Sequence, residues 1–245
     1  MKALLRWLLL VLLAGLALQL YFVARIGMMR WVDPQSTAFQ RSEAWRIVST
    51  TGRLPWRQEW VPYERIADSL KRAVLASEDD AFPTHGGIYW ESIEKAWAKN
   101  AKAEEQAARR AAQARPGAPI RGPKIVGGST ITQQLAKNLF LSGERTLMRK
   151  GQEFVITMAL EALLDKQRIL EIYLNSVEWG EGVFGAEAAA QHYYRKSAMR
   201  LSQWEAARLA VMLPSPKSYE KRPNSPYLAA RAAAIMARMG DSELP

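Results

Sequence analysis

The hydrophobic pattern of the chain changes near residue 30. Residues 7–24 form an apolar run that only Gln19 interrupts. As a helix this run would be about 27 Å long, close to the roughly 30 Å hydrocarbon core of a bilayer. It is longer than the apolar part of a typical signal peptide, and bulky Tyr21 and Phe22 stand where small residues would mark a cleavage site. We therefore predict a retained single-pass anchor at residues 1–30, with a cleavable signal peptide as the alternative.

The charges at the two ends of this run predict its orientation. The N-terminal amine, Lys2 and Arg6 precede the run, and Arg25 and Arg30 follow it. Positive groups favour the cytoplasmic side of a membrane. The groups before the run outnumber those after it, so we expect a cytoplasmic N-terminus and an external domain.

Beyond the anchor, apolar positions recur mainly at helical spacing. Residues 31–60 contain scattered prolines and tryptophans, and we interpret them as a linker or juxtamembrane segment. Helices are predicted at 64–77, from about 130, and at 154–164, 186–194, 202–213 and 228–239. Since no segment shows the alternating pattern of a half-buried strand, the predicted fold class is mostly α.

A basic, alanine-rich segment at residues 98–124 departs from this pattern. It contains the sequence ARRAAQAR and then several prolines and glycines. It has too little apolar surface to bury, so we predict a flexible basic insertion in which a solvated helix runs into a loop. Nucleic-acid binding is the alternative, but interleaved aromatic residues and a recognisable motif are lacking, so no nucleic-acid partner is expected.

The composition narrows the chemistry. The chain has 34 Lys and Arg against 24 Asp and Glu, a net charge of +10, which favours anionic partners such as acidic lipid or a diphosphate. The absence of cysteine excludes thiol catalysis, cysteine-ligated metal and disulfides. The presence of only two histidines argues against a histidine-rich metal centre.

A helix start near residue 130 has the features of an anion site. Gly127 and Gly128 come directly before it, and Thr130 with Gln133 has the form of a capping box. The free N–H groups and the positive dipole end of such a helix favour phosphate.

Cations follow along the same stretch at Lys137, Arg145, Arg149 and Lys150. We therefore predict a site for a phosphorylated ligand; a surface helix with solvated basic residues is the alternative.

A second cluster of charge lies at the end of the predicted helix 64–77. Glu78, Asp79 and Asp80 oppose one another and the negative end of the helix dipole. Both effects raise the pKa of a carboxylate towards values that suit a general base. An exposed acidic turn is the alternative.

Four stretches carry a resemblance to a known family. ASEDDAFPTHGG at 76–87, GGSTITQQLAKN at 127–138, the RKxxE pattern at 149–153 and KQRILEIYLNSVEWG at 166–180 resemble motifs of the family 51 glycosyltransferases, which polymerise peptidoglycan strands. The likeness extends over residues 61–219 and leaves no room for a transpeptidase domain. It implies a lysozyme-like, two-lobed helical glycosyltransferase domain at 61–245 beside a smaller membrane-embedded region.

The resemblance also implies roles for individual residues. Glu78 takes the place of the catalytic base and Glu153 that of the second active-site carboxylate; an ordinary i,i+4 ion pair with Arg149 is the alternative for Glu153. His85 is interpreted as orienting the Glu78 loop, with a hydrogen bond to substrate as the other option. The expected substrate- and diphosphate-binding residues are Asp79, His85, Ser129, Thr130, Gln133, Gln134, Lys137, Asn138, Arg145, Arg149 and Lys150.

The resemblance implies a reaction as well. The expected substrates are lipid II, an undecaprenyl-diphosphate-linked disaccharide-pentapeptide, and the growing glycan strand, at the external face of the bacterial inner membrane. The sequence requires no cofactor, but a divalent cation, Mg²⁺ or Mn²⁺, stays open at Glu153. Other cell-wall synthesis or division proteins are a further class of partner that the resemblance allows.

Two other functions stay open. Two carboxylates on a helical domain could cleave a glycan as lysozyme does, but such a hydrolase has no need for cations at a capped helix start. A membrane-anchored scaffold without catalytic activity could use the same basic surface to hold partners.

Overall fold

The chain is mostly α-helical over the residues described by the structure, a computed structural model covering 1–113, 122, 127–141, 143–144 and 146–245, with only the backbone of 112 and 113. The helices are α1 Lys2–Met28, α2 Ala38–Thr51, α3 Asp68–Glu78, α4 Trp90–Gln113, α5 Ile131–Phe140, α6 Leu147–Leu163, α7 Lys166–Ser176, α8 Ala186–Tyr194, α9 Gln203–Met212, α10 Pro216–Glu220 and α11 Pro226–Met236.

The first helix, α1, is long and apolar enough to cross a membrane, and no other helix among the described residues is. Most of α1 is exposed, but Ile26 in its last turn is fully buried. The helix therefore suggests a membrane anchor whose final turns belong to the core of the following domain.

The segment predicted as a linker contains a packed helix. Helix α2 begins with a capping box between Thr37 and Gln40 and ends at Gly52, whose φ of +67° is left-handed. The buried Gln40 side chain also donates a hydrogen bond to the Ser176 carbonyl, 3.3 Å away. The apolar residues of α2 show only weak helical spacing, so the capping residues Thr37 and Gln40 are the sequence feature that could have predicted this helix.

Two groups of helices form the core around the candidate site. Helix α3 packs against α9 and α11, and α5 packs against α2, α6 and α7. Fully buried side chains such as Leu70, Leu135 and Ile156 join these groups in a single hydrophobic cluster. The C-terminus of α3 and the N-terminus of α5, where the predicted chemistry lies, are both held by this core.

Several predicted helices have different ends. Helix α3 starts at Asp68 rather than residue 64, because Tyr63–Arg65 is a separate 3-10 turn and the Ala67 N–H donates to the Ala198 carbonyl. Helix α6 starts earlier than predicted, where the Thr146 side chain caps it. The proline-rich loop before α11 contains the short helix α10.

A small sheet was not predicted. Its strands are β1 Arg57–Gln58, β2 Glu178–Gly180 and β3 Val183–Phe184, in the order β1-β3-β2. Strand β3 is parallel to β1 and antiparallel to β2. Strands of two or three residues are too short to show an alternating pattern, so they cannot be predicted from hydrophobic spacing.

Helix α4 includes residues 98–113 of the predicted basic insertion, and much of its surface is exposed, as a solvated helix should be. The predicted loop that follows, apart from Gly122, lies outside the described residues.

Candidate active site

The carboxylate of Glu78 lies at the C-terminus of α3, facing the first turns of α5. Its Oε2 accepts a hydrogen bond from Gln134 Nε2 at 3.1 Å, and its Oε1 lies 3.5 Å from the Ser77 hydroxyl. Burial raises the pKa of Glu78, the hydrogen bonds from Gln134 and Ser77 lower it, and the neighbouring Asp79 raises it again. The net shift is upward, so the carboxylate is a stronger base than an exposed glutamate.

Tyr173 orients the amide that binds Glu78. Its hydroxyl donates to Gln134 Oε1 at 3.0 Å, which leaves Gln134 Nε2 to donate to Glu78. Burial and the charges of Glu78 and Asp79 raise the pKa of Tyr173 well above its ordinary value, so the hydroxyl keeps its proton. The sequence does not show this role of Tyr173, because an aromatic residue at helical spacing gives no sign of a polar contact.

Asp79 joins the end of α3 to the start of α5. Its Oδ2 accepts the backbone N–H of Ile131 at 2.9 Å, and His85 Nε2 lies 2.9 and 3.0 Å from its two oxygens. His85 Nδ1 accepts the Gly87 N–H at 3.0 Å, so the ring proton is on Nε2 and is donated to Asp79. In the described chain, Asp79 and His85 therefore contact protein groups that fix the loop after Glu78.

The capping box predicted at the start of α5 is present. The Thr130 hydroxyl accepts the Gln133 N–H, and Gln133 Oε1 accepts the Thr130 N–H, both at 3.1 Å. The same hydroxyl donates to the Gly87 carbonyl at 2.6 Å. Thr130 thus holds the helix start and the Asp79–His85 loop in one network.

The second carboxylate, Glu153, is buried on α6 between two cations. Arg149 Nη1 lies 3.0 Å from Glu153 Oε2, and Lys150 Nζ contacts Oε1. The i,i+4 ion pair with Arg149 that the alternative hypothesis predicted is therefore present, but the Glu153 side chain is only 5% exposed, so the pair is buried and not on the surface. Lys150 is half exposed, and Arg149 Nε is buried without a hydrogen-bond partner among the described residues.

Glu153 is poorly placed to bind a metal, because both of its oxygens contact cations. In the part of the chain that the structure describes, no group of three or more His, Cys, Asp or Glu side chains could hold a metal ion.

A cavity of about 310 Å³ lies beside the start of α5. Trp97 of α4, Ser129, Gln133 and Lys150 contribute to its walls. The loop approaches α4 closely at Gly128, where an added Cβ would lie 2.9 Å from a backbone oxygen of α4. The cavity is therefore lined by the Lys150 cation, the Ser129 hydroxyl and the capped start of α5, with Trp97 as an aromatic wall.

The remaining predicted residues follow along the same stretch. Lys137 is exposed and Asn138 half-buried, and they lie one turn after Gln133 and Gln134 respectively. Arg145 lies outside the described residues.

The arrangement of Glu78 and the cavity fits one class of enzyme. Glu78 and the cationic cavity flank the first turn of α5, since Gln134 contacts Glu78 and Gln133 lines the cavity. A base beside fixed positive groups is the arrangement that a transferase needs when its leaving group is an anion.

Comparisons with known proteins identify the family. The family model described as Transglycosylase matches residues 46–240. A biosynthetic peptidoglycan transglycosylase of Burkholderia thailandensis is 54% identical over 95% of this chain and 84% of its own. One from Herminiimonas arsenicoxydans is 50% identical over 100% of this chain and 99% of its own. The chain belongs to the transglycosylase family, and its helical domain fits the lysozyme-like fold expected from the sequence.

Proposed function

We propose that the protein is a peptidoglycan glycosyltransferase that polymerises lipid II into β-1,4-linked glycan strands and releases undecaprenyl diphosphate. Membership of the transglycosylase family and relatives named biosynthetic peptidoglycan transglycosylase support the reaction class. The observation that carries the proposal is that adjacent residues at the start of α5 contact the two parts of the site: Gln134 binds Glu78, and Gln133 lines the cavity to which Lys150 contributes.

Glu78 is the general base in the proposed mechanism. It takes the proton of the acceptor's GlcNAc 4-hydroxyl while that oxygen attacks the anomeric carbon of the donor's MurNAc. The new C–O bond forms as the bond to the diphosphate breaks, and the diphosphate leaves with the electron pair. Attack from the face opposite the leaving group inverts the α-linked donor to a β-linked product. Gln134, held by Tyr173, keeps the Glu78 carboxylate in place for this step.

The cationic cavity receives the leaving group. Fixed cations and N–H groups lower the free energy of the transition state by neutralising the charge that develops on the diphosphate. Lys150 and Ser129 line the cavity directly, and Arg149 lies in the same turn of α6 as Lys150. In this scheme Glu153 holds the two cations and takes no proton. Lys137, Asn138 and Arg145 stay predicted ligands of the same substrate.

The mechanism contains no metal step. The Glu153 oxygens already contact Arg149 and Lys150, so the described residues do not offer Glu153 as an open metal ligand. The sequence requires no cofactor, and binding of a divalent cation, Mg²⁺ or Mn²⁺, stays an open alternative.

The anchor places the enzyme where its substrates are. Helix α1 would cross the inner membrane with the N-terminus in the cytoplasm and the catalytic domain in the periplasm, as the charges around it indicate. Both substrates carry lipid tails, and tethering to the same bilayer raises their effective concentration at the site. Other cell-wall synthesis or division proteins are further partners in this proposal.

One assay tests the proposal. Full-length protein is given lipid-linked precursor, and wild type is compared with Glu78→Gln and with Glu64→Gln, an exposed carboxylate on the 3-10 turn. We expect polymer from wild type and from Glu64→Gln, and at least about a hundredfold less from Glu78→Gln, because general base catalysis contributes roughly that much. Cleavage of preformed glycan would support the hydrolase instead. Absence of both activities in wild type would support the non-catalytic membrane-anchored scaffold.

A further inference from the structure

We propose that Gln19 and Gln152 form a clamp, and that through it the last third of α1 positions the anion-binding helix α6. The two amides exchange a pair of hydrogen bonds. Gln19 Nε2 donates to Gln152 Oε1 at 2.9 Å, and Gln152 Nε2 donates to Gln19 Oε1 at 3.0 Å. The inference rests on the proposed function, because one of its readouts is glycan synthesis.

The Gln19–Gln152 pair is stabilising because Gln19 lies within an apolar helix. Gln19 is the polar residue that interrupts the apolar run of residues 7–24. An amide without a partner is strongly disfavoured in hydrocarbon, so the side chain must find one on a neighbouring helix. Amide pairs of this kind hold membrane helices together in a defined rotation. Gln152 is the partner that α6 provides.

The same face of α1 continues the contact towards the domain. Phe22 packs edge-to-face on Phe140 with ring centroids 5.1 Å apart, and the Arg25 guanidinium lies 5.8 Å from the Phe140 centroid. Ile26 then enters the core with no exposed surface. Phe140 is the last residue of α5, so α1 touches both of the helices that line the anion site.

The clamp acts at the turn of α6 that carries the charged groups. Gln152 stands between Lys150 and Glu153, one residue from the carboxylate that contacts both cations. A rotation or shift of this turn would move Lys150 relative to the departing diphosphate. Displacements of about 1 Å at such groups are enough to slow a reaction strongly. By fixing the rotation of α6 against α1, the Gln19–Gln152 pair keeps the cation cavity in its productive shape.

The geometry can be tested without measuring activity. The chain contains no cysteine, so Gln19→Cys/Gln152→Cys introduces the only two thiols, and a short bis-thiol reagent reports their proximity in membranes. We expect an internal cross-link in this pair. Ala17→Cys/Gln152→Cys is the matched control, because Ala17 is exposed and lies about 200° around the helix from Gln19. Equal cross-linking of both pairs, or of neither, would overturn the clamp.

The functional test uses full-length protein in detergent micelles, where tethering to a bilayer no longer limits the rate. Gln19→Leu leaves Gln152 unpaired in apolar surroundings, and we expect kcat to fall about 3- to 20-fold, the range of coupling measured for polar pairs between membrane helices. KM should change little, because the loss falls on leaving-group stabilisation. Gln19→Leu/Gln152→Leu should recover part of the loss, because no amide is then left without a partner.

The controls separate positioning from anchoring and folding. Gln19→Leu makes α1 more apolar, so weaker insertion cannot explain a loss, and Ala17→Leu should leave kcat at the wild-type value. An unchanged kcat in Gln19→Leu would show that α1 is only a tether. A kcat loss with an equal rise in KM and no recovery in the double variant would also refute positioning. If wild type makes no glycan, the proposed function fails, and the cross-link alone decides the clamp.

Discussion

The orientation of the Glu78 carboxylate is set by its neighbours, and its basicity is set mainly by its burial. The Tyr173 hydroxyl sets the direction of the Gln134 amide, and Gln134 then donates to Glu78. This chain of hydrogen bonds keeps the carboxylate in one orientation. Because desolvation raises the pKa of Glu78, the folded protein supplies a base that is stronger than an exposed glutamate.

Tyr173→Phe tests this relay. The variant leaves Gln134 Oε1 without its donor and frees the amide to rotate, and losing one such bond costs about 1 kcal/mol, roughly a fivefold loss in kcat/KM. Because the Gln134 hydrogen bond lowers the pKa of Glu78, weakening it should also move the acid limb of the pH–kcat/KM profile, set by Glu78, towards higher pH. Steady-state rates across pH are the measurement.

Tyr63→Phe is the matched control for this relay. The Tyr63 hydroxyl is buried without a hydrogen-bond partner among the described residues, so its removal breaks no bond. Activity should stay at the wild-type level and the melting temperature should not fall. Equal kinetic losses in the two variants would show that Tyr173 acts only by filling space.

At the scale of elements, the capped start of α5 is where most of the site is fixed. Asp79 accepts the Ile131 N–H, and Thr130 bridges the helix start to the Gly87 carbonyl. Helix α5 therefore has its first turn tied to the loop after Glu78. The capping box at Ser202 and Glu205, which starts α9, has the same local chemistry, but its hydrogen bonds stay within that turn and do not reach the loop after Glu78.

These two caps make a controlled comparison. Ser202→Ala should lower the free energy of unfolding by about 1 kcal/mol, the usual value of an N-cap, and Thr130→Ala should lower it by more, because the buried Thr130 hydroxyl also donates to the Gly87 carbonyl. Only Thr130→Ala should also reduce glycan synthesis, by about tenfold, because it loosens the helix start that is proposed to contact the substrate. The free energy of unfolding in denaturant and the rate of glycan polymerisation are measured for both variants. A comparable drop in synthesis for Ser202→Ala would mean that stability alone limits activity.

At the scale of the whole molecule, a charged cluster away from the site joins α2, β2 and α10. Lys217 contacts Glu43 at 2.6 Å and Glu178 at 3.5 Å. Burial raises the pKa of Glu178 to about 7, the Lys217 charge opposes the shift, and Glu43 adds to it. Glu178 therefore titrates near neutral pH in the folded protein but near 4.5 in the unfolded chain.

This difference predicts a pH-dependent stability. Between pH 4.5 and 7 the folded protein holds a proton on Glu178 that the unfolded chain has lost, so this group's contribution falls as pH rises and is constant above pH 7. Relative to wild type, Glu178→Gln should gain about 2 kcal/mol in unfolding free energy between pH 5 and pH 8. Denaturant unfolding at both values measures it, with Glu64→Gln as control. A pH-independent difference between Glu178→Gln and wild type would place the pKa of Glu178 at its ordinary value.

The features that the sequence predicted correctly are local ones. The apolar length of α1 is set by neighbouring residues, and the capping box at Thr130 joins residues three positions apart. Local chemistry of this kind is visible in a single sequence, because the interacting groups are near each other along the chain. The family motifs added the identity of Glu78 and Glu153, and their roles stay predictions until the variants are measured.

Contacts between distant segments were decided by the tertiary structure alone. Tyr173 and Gln134 are 39 residues apart, Gln134 and Glu78 are 56 apart, and Gln19 and Gln152 are 133 apart. Polar side chains at such separations meet only because the helices that carry them pack in one arrangement, and apolar spacing predicts which face is buried but not its partner. The sequence therefore determined the long apolar first helix, the capped start of α5 and the charged groups. The packing of the helices decided that Gln134 binds Glu78 and that α1 packs against α6, the helix that carries Arg149 and Lys150.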